Sequence, residues 1–308
     1  IKNMKNMDLK HWILNRKGNL DKPPVDYISN EANELIFNSI ISDSPIMIAR
    51  FGAFELGITN SAITPFNLRN LWRLCKGDIT SIGWNNKLAS LFCNNAGFFP
   101  NERRYIEQFA KLLIEDMSEL DILASWLPAE RRFSEILAKV RKIRRIDLEP
   151  FLYDKPWTRA LRGKTVLVIH PYEDTIKYQW INRDKLFPNP EVLPSFNLKI
   201  IKAIQSAGGN KTEFQTWFEA LDHMKSQIEQ SEFDIALIGC GAYGFHLAAH
   251  VKRLGKKAVH MGGILQVLFG ILGGRWDGMF PFVNEYWRRP LLSDIANNMD
   301  GIENGCYI

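Results

Sequence analysis

Several short stretches of the chain are apolar almost without interruption: IMIARFG at 46–52, DILASWL at 121–127, TVLVIHP at 165–171, FDIALIG at 233–239 and KKAVHM at 256–261. Such runs read as buried strands, and the unbroken TVLVIHP as one covered on both faces of a parallel sheet. Between them the apolar positions recur at helical spacing. NEANELIFNSII at 30–41, NERRYIEQFAKLLIEDM at 101–117, TWFEALDHMKSQIEQ at 216–230 and residues 242–254 are predicted helices. In AERRFSEILAKVRKIRR at 129–145, Phe133, Ile136, Leu137, Val140 and Ile143 make one stripe and seven Lys or Arg cover the rest, so a basic amphipathic helix is predicted there.

Strand and helix alternate through the second half, which argues for an α/β fold with an open, mostly parallel sheet and right-handed crossovers. Residues 1–43 form a helical N-terminal extension in this reading, and 44–308 one domain with a mainly helical insert at about 65–118. A sheet of this type binds ligands at the carboxyl ends of its strands. The candidate site is therefore the set of loops after Gly52, His170, Gly239 and His260.

Composition sharpens this only modestly. With 46% hydrophobic and 24% charged residues the chain is ordinary for a globular protein. A net charge of +5 and a pI near 8.9 favour anionic partners but are too small to argue for nucleic acid. Four scattered cysteines form no CxxC pair, so reduced thiols and a cytoplasmic setting are expected. The chain opens at Ile1 with no signal-peptide pattern. GGILQVLFGILGG at 262–274 is too short to span a bilayer and reads as buried helix and turn. The basic 129–145 segment reads as a solvated face or as a contact with the inner face of an anionic membrane, and nucleic acid comes third because no stacking platform or binding motif accompanies the charge.

Gly239, Gly241 and Gly244 spell G-x-G-x-x-G between a strand and a helix, where backbone N–H groups can meet a phosphate. A dinucleotide site also needs an acid at the end of the next strand, and His260 stands there instead, so NAD is not expected. Arg50 can fork onto a phosphate, and Glu55 can ligate a metal or act as a base, or the two can simply pair. His170 can donate to a phosphate or take a proton, with Thr175 capping the helix after it. Arg275 and Trp276 in GGRWDG suit phosphate and ring contact, although Trp276 could equally close the core. No G-x-S-x-G, P-loop, H-E-x-x-H or paired CxxC is present, so hydrolase, P-loop kinase and zinc-enzyme classes lose weight.

Taken together, IARFGAFELG, GKTVLVIHPYEDTI with Gln179, the segment from Phe218 through HMGG, and LFGILGGRW resemble the GT-D-like glycosyltransferase domains of bacterial surface-polysaccharide and protein-glycosylation systems. The resemblance runs from about residue 44 to the C-terminus and is densest over 233–276. It implies a Rossmann-like fold and transfer of a sugar from a nucleotide-sugar donor to a glycan or lipid-linked glycan acceptor. On that pattern Arg50, Gly52, Gly239, Gly241, Tyr243, Gly244, His260, Gly262, Arg275 and Trp276 would hold the donor, with Glu55 and His170 catalytic. The family's Asp-x-Glu turn is here Ala53-Phe54-Glu55, so Glu55 alone remains to hold Mn²⁺ or Mg²⁺, a poor cage unless phosphates and waters complete it. A noncatalytic nucleotide-sugar binding module is the rival reading, and an NAD-dependent oxidoreductase a weaker one.

Overall fold

The computed structural model describes residues 23–76, 79, 82–302 and 305–308. The part of the N-terminal extension before residue 23 lies outside the described residues. Seven strands form one parallel sheet in the order β3-β2-β1-β7-β6-β4-β5. They are β1 (Ile46–Ala49), β2 (Ile122–Ser125), β3 (Arg141–Arg144), β4 (Thr165–His170), β5 (Asn197–Lys202), β6 (Ile235–Ile238) and β7 (Lys257–His260). The fold is thus α/β with an all-parallel sheet, as the unbroken apolar runs predict.

Successive side chains on a strand point to opposite faces, and here both faces are covered. Met47, Ala49, Leu123, Leu167, Ile169, Ala236 and Ile238 enter one core. Their neighbours Ile46, Ile48, Ile122, Val166, Val168, Ile235 and Leu237 enter the other. Helices α1 (Ser29–Ile41), α2 (Ala53–Ile63), α3 (Leu68–Lys76), α4 (Asn86–Ala96), α5 (Arg103–Asp116), α6 (Glu173–Ile181), α7 (Arg183–Leu186), α8 (Trp217–Glu229), α9 (Gly244–Arg253) and α10 (Ile264–Leu268) complete the layers. Phe92, Phe109, Trp217 and Met224 bring α4, α5 and α8 onto the first face, and Ile36 and Ile40 bring α1 onto the second. The apolar 262–274 stretch contains α10, all five of whose residues are buried.

Two local expectations are corrected. Residues 129–145 are not a helix: a 3-10 turn over Pro128–Phe133 leads through further turns into β3. Phe133, Leu137, Val140 and Ile143 are buried as the stripe requires, but Ile136 is 41% exposed. Two local forces override the helical period. The Glu130 carboxylate accepts from Ser125 Oγ and from the N–H groups of Trp126 and Leu127, turning the chain at the end of β2. The 141–144 backbone then satisfies the edge of β2 that would otherwise carry unpaired groups. A membrane contact through a 129–145 helix therefore loses its helix, and Arg144 and Arg145 are engaged with Asp147 and Glu149.

The second correction concerns Thr175, which lies inside the first turn of α6 rather than at its cap. The N-terminal N–H groups of that helix are instead met by the buried Asp294: its carboxylate accepts from Thr175 N at 2.7 Å, Thr175 Oγ1 at 2.7 Å and Asp174 N at 3.3 Å. An acid 119 residues away in sequence supplies the cap. No helix among the described residues is long and apolar enough to cross a membrane, and none of the four cysteines is in a disulfide.

Candidate functional site

The chain leaving β4 runs to β5 and that leaving β6 runs to β7, in opposite directions along the sheet, so a crevice opens between them at the carboxyl edge. A cavity of about 200 Å³ lies there. Its walls come from the loops after β1, β2, β4, β5, β6 and β7, with the end of α4 and the segment around Tyr307 closing the remaining sides. Of the residues singled out in the sequence, Arg50, Gly52, Ala53, Glu55, His170, Gly239, Gly241, Tyr243, Gly262 and Arg275 line it.

Arg50 is the centre of the arrangement. Its half-buried guanidinium lies against the backbone of Gly262, where a Cβ would stand 2.5 Å from Nε and Nη2. Its Nε is buried without a hydrogen-bond partner, and Nη1 makes only a 3.5 Å contact with Phe51 O. Burial lowers its pKa from the usual 12.5, Glu55 and Tyr307 pull it back up, and Arg145 and Arg275 push it down. A desolvated cation with an unmet donor has the chemistry to meet an anion, with Arg145 and Arg275 adding to its field and Glu55 opposing them.

Gly262 is needed on two counts, close approach and a φ of +67°. Gly262→Ala is expected to cost about 2–3 kcal/mol, combining left-handed strain with displacement of Arg50. Gly255, at φ +76° with open space around it, gives the comparison: Gly255→Ala should cost only about 1–2 kcal/mol. Urea unfolding of the two variants checks the difference, and equal losses would mean that Arg50 yields freely.

Glu55 is the third residue of α2 and folds back onto the helix's first flanking residue, Gly52, so that any Cβ there would overlap the carboxylate. This is the position from which a glutamate caps its own helix. The carboxylate also lines the cavity, where its charge raises the Arg50 pKa without a direct ion pair between the two.

His170, at the end of β4, is buried and accepts Tyr172 N–H at Nδ1, 3.0 Å away, which leaves the ring proton on Nε2. Burial pushes its pKa down to about 3. A ring so reluctant to charge is a poor proton acceptor and a good neutral donor. Tyr243 stacks on Trp217 at 5.0 Å, and its hydroxyl lies 3.1 Å from Ser206 Oγ, which donates to Gly97 O. Burial pushes the Cys240 thiol well above its ordinary range, so this lining cysteine stays protonated.

The glycines of G-x-G-x-x-G serve close packing first. A Cβ at Gly239 would stand 2.7 Å from Gly262 O and 3.1 Å from His170, one at Gly241 would stand 2.9 Å from Ala96 O, and one at Gly244 would overlap the His260 ring. Gly239 and Gly241 still present backbone to the cavity. Gly244, His260 and Trp276 do not line it. His260 is buried with Nδ1 3.2 Å from Ile238 O, and Trp276 is a core residue at 5% exposure.

The sequence reading missed Trp126, Gln205, Ser206, Gln266, Met299 and Tyr307, all of which line the cavity. Trp126 and the 204–207 loop follow β2 and β5, so extending the carboxyl-end rule to every strand would have found them. Tyr307 had no sequence signal. Its carbonyl accepts from Tyr172 Oη and Gln266 Nε2, and Arg275 lies over its ring at 4.9 Å and donates to its hydroxyl at 3.3 Å.

Among the described residues the lining does not offer the ligands of a resident divalent metal. Glu55 is the one carboxylate lining the cavity among the described residues, it shares the wall with Arg50 and Arg275, and no group of three or more His, Cys, Asp or Glu side chains among those residues could hold an ion.

Fold and cavity define an α/β protein with a cationic, glycine-walled pocket at the carboxyl edge of a parallel sheet. No family model and no curated protein sequence matches the chain. Among solved structures it is similar to the highly conserved domain of unknown function 1792, described as having a distinct glycosyltransferase fold, at 13% identity and a TM-score of 0.38 over 81% of this chain and 82% of that one. The selenomethionine-substituted structure of the same domain matches at 13% identity and the same TM-score over 82% of each chain. That is the kind of fold the four loops of the sequence resemble. The superposition is loose, so the fold class rests on the sheet itself.

Proposed function

We propose that the protein is a glycosyltransferase that moves a sugar from a nucleotide-sugar donor to a glycan or lipid-linked glycan acceptor in bacterial cell-surface polysaccharide or glycoconjugate assembly, working on the cytoplasmic side. The observation that carries the reading is the convergence of Arg50, Arg275 and the neutral His170 donor on a cavity that also holds one carboxylate, Glu55. About 200 Å³ suits a diphosphate and part of a sugar, below the roughly 300–1,000 Å³ of pockets that engulf a whole ligand. The nucleoside then lies toward the open mouth.

As the glycosidic bond breaks, negative charge grows on the departing nucleotide diphosphate. Fixed cations and N–H donors aimed at it stabilise the transition state more than the ground state. Arg50 and Arg275 fill that role, with His170 donating through Nε2. Glu55 is the base for the acceptor hydroxyl, since burial makes His170 a poor proton acceptor and its Nε2 already carries a proton. No metal is assigned a step.

The test is thermal stabilisation and turnover with UDP-, GDP-, CMP- and dTDP-sugars and NAD, with and without Mn²⁺. A nucleotide sugar should raise Tm, and Glu55→Gln should cut turnover at least ~10-fold. A shift with NAD alone sinks the reading, and wild-type turnover in Glu55→Gln removes Glu55 from the reaction. A noncatalytic nucleotide-sugar module is the second reading, favoured by Ala53 and by the capping pose of Glu55. Stabilisation without hydrolysis or transfer to any acceptor would select it.

A further inference from the structure

Helix α3 exposes two large apolar side chains, while Leu71, Leu74 and Cys75 are half-buried. Its one buried residue is Asn70, which donates to Pro65 O at 2.9 Å. At about 100° per residue, Asn70 falls opposite Leu68 and Trp72. These two are 85% and 61% exposed, and Phe66 in the turn before them is 75% exposed. A helix that serves only a core turns all its large apolar side chains in.

The flank of this ridge is basic. Arg69, Arg73 and Lys76 stand within α3 and no acid does. Lys76 Nζ lies 3.4 Å from the centre of the Trp72 ring, so its cation is at the ridge itself. Arg132, whose pKa is lowered first by burial and then by Arg73, extends the positive field beyond the helix. Large apolar side chains beside cations make up helices that lie in the headgroup region of a bilayer, the stems buried and the charges on lipid phosphates.

We propose that residues 66–76 dock the protein on an anionic lipid surface, with Phe66, Leu68 and Trp72 entering the headgroup boundary and Arg69, Arg73 and Lys76 meeting the phosphates. A second copy of the chain fits less well, because a two-fold contact through this ridge sets the same three cations against each other. The surface is independent of what the cavity binds. It also differs from the 129–145 segment in being a helix with large apolar side chains exposed.

Sedimentation of the full chain with phosphatidylcholine vesicles, with and without phosphatidylglycerol, tests the assignment. Binding should require the anionic lipid and weaken as salt is raised. The double variant Arg69→Glu/Arg73→Glu should bind at least ~10-fold more weakly, and Leu68→Ser/Trp72→Ser at least ~5-fold. Both should keep the wild-type Tm, because none of the four side chains enters either core. Absence of binding to anionic vesicles, or equal binding by the folded variants, overturns the proposal. So does a concentration-dependent dimer that Trp72→Ser dissolves, which would name a second copy as the occupant.

Discussion

Arg50→Met is expected to lower affinity for the nucleotide-sugar donor by about 100-fold while leaving Tm unchanged or slightly raised. The two halves have separate causes. On the ligand side, a guanidinium with a buried, unpartnered Nε can give a phosphate two charge-assisted bonds, each worth about 1.5–3 kcal/mol, and methionine can give none. On the stability side, the folded protein already bears the cost of desolvating this cation, seen in its lowered pKa, and recovers part of it through Glu55. Methionine gives up the guanidinium's contacts with Gly262 and with Trp126, whose ring centre lies 5.7 Å from the guanidinium carbon, but offers an unbranched chain of similar course and removes the desolvated charge. Function and stability should therefore move in opposite directions, the signature of a strained binding group. Isothermal titration and a thermal melt on the same sample check both. Wild-type affinity would place the phosphates elsewhere, and a large fall in Tm would make Arg50 a structural residue. Arg50→Lys should fall between, keeping the charge but losing the fork.

How much of this was legible in the chain depends on whether local or distant partners decide each element. The buried strands could be read because a parallel strand covered on both faces has no polar position to confuse the pattern, as in VLVI at 166–169. The loops after β1, β4, β6 and β7 could be read as a site because topology alone puts them at one edge. Residues 129–145 could not, because their stripe is compatible with a helix and only the unpaired edge of β2 makes β3 of them. The cap of α6 by Asp294 and the placing of Tyr307 in the wall are contacts over more than 100 residues of chain, with no local signature. Trp276 and His260 mislead for another reason: an aromatic in a glycine-flanked turn or a histidine at a strand end looks the same whether it faces the cleft or packs beneath it, and both are buried outside the cavity lining. The G-x-G-x-x-G motif sits between these cases. It lies between β6 and α9 as the pattern predicts, while its three glycines are fixed by Gly262, Ala96 and His260 before any ligand arrives.

Stability should fall steeply in mild acid, from about pH 6.5 downward, because two buried histidines flank the end of β6. His170 closes β4 on one side and His260 closes β7 on the other, where it is the register partner of Ile238. Burial pushes both down to about 3, helped at His260 by the nearby Arg50 cation. The unfolded chain protonates them near the usual 6.5 while the folded chain keeps them neutral, so between about pH 6.5 and 3 the unfolded state binds more protons and stability drops as pH falls. Each contributes about 1.4 kcal/mol per pH unit, so by pH 4.5 the pair removes about 5 kcal/mol, the order of a whole domain's stability. Charging His170 would also strip Tyr172 N–H of its acceptor, since a protonated Nδ1 cannot accept. Glu130 and Glu149, raised chiefly by burial, act the other way: the folded state holds their protons above the usual 4.5, and the fold gains as pH falls through their raised values. His246 and His250, both lowered chiefly by burial, add to the loss in the same direction as the first pair, so the observed slope is the balance of these groups. Urea midpoints measured from pH 7.5 to 4.5 test this, with His260→Asn as the probe. Removing that ring should flatten the slope by about one proton, whereas an unchanged slope would show that His260 takes its proton without unfolding. Because His170 lines the cavity and shares contact with Gly239, loss of donor binding should follow the same acid limb as loss of the fold.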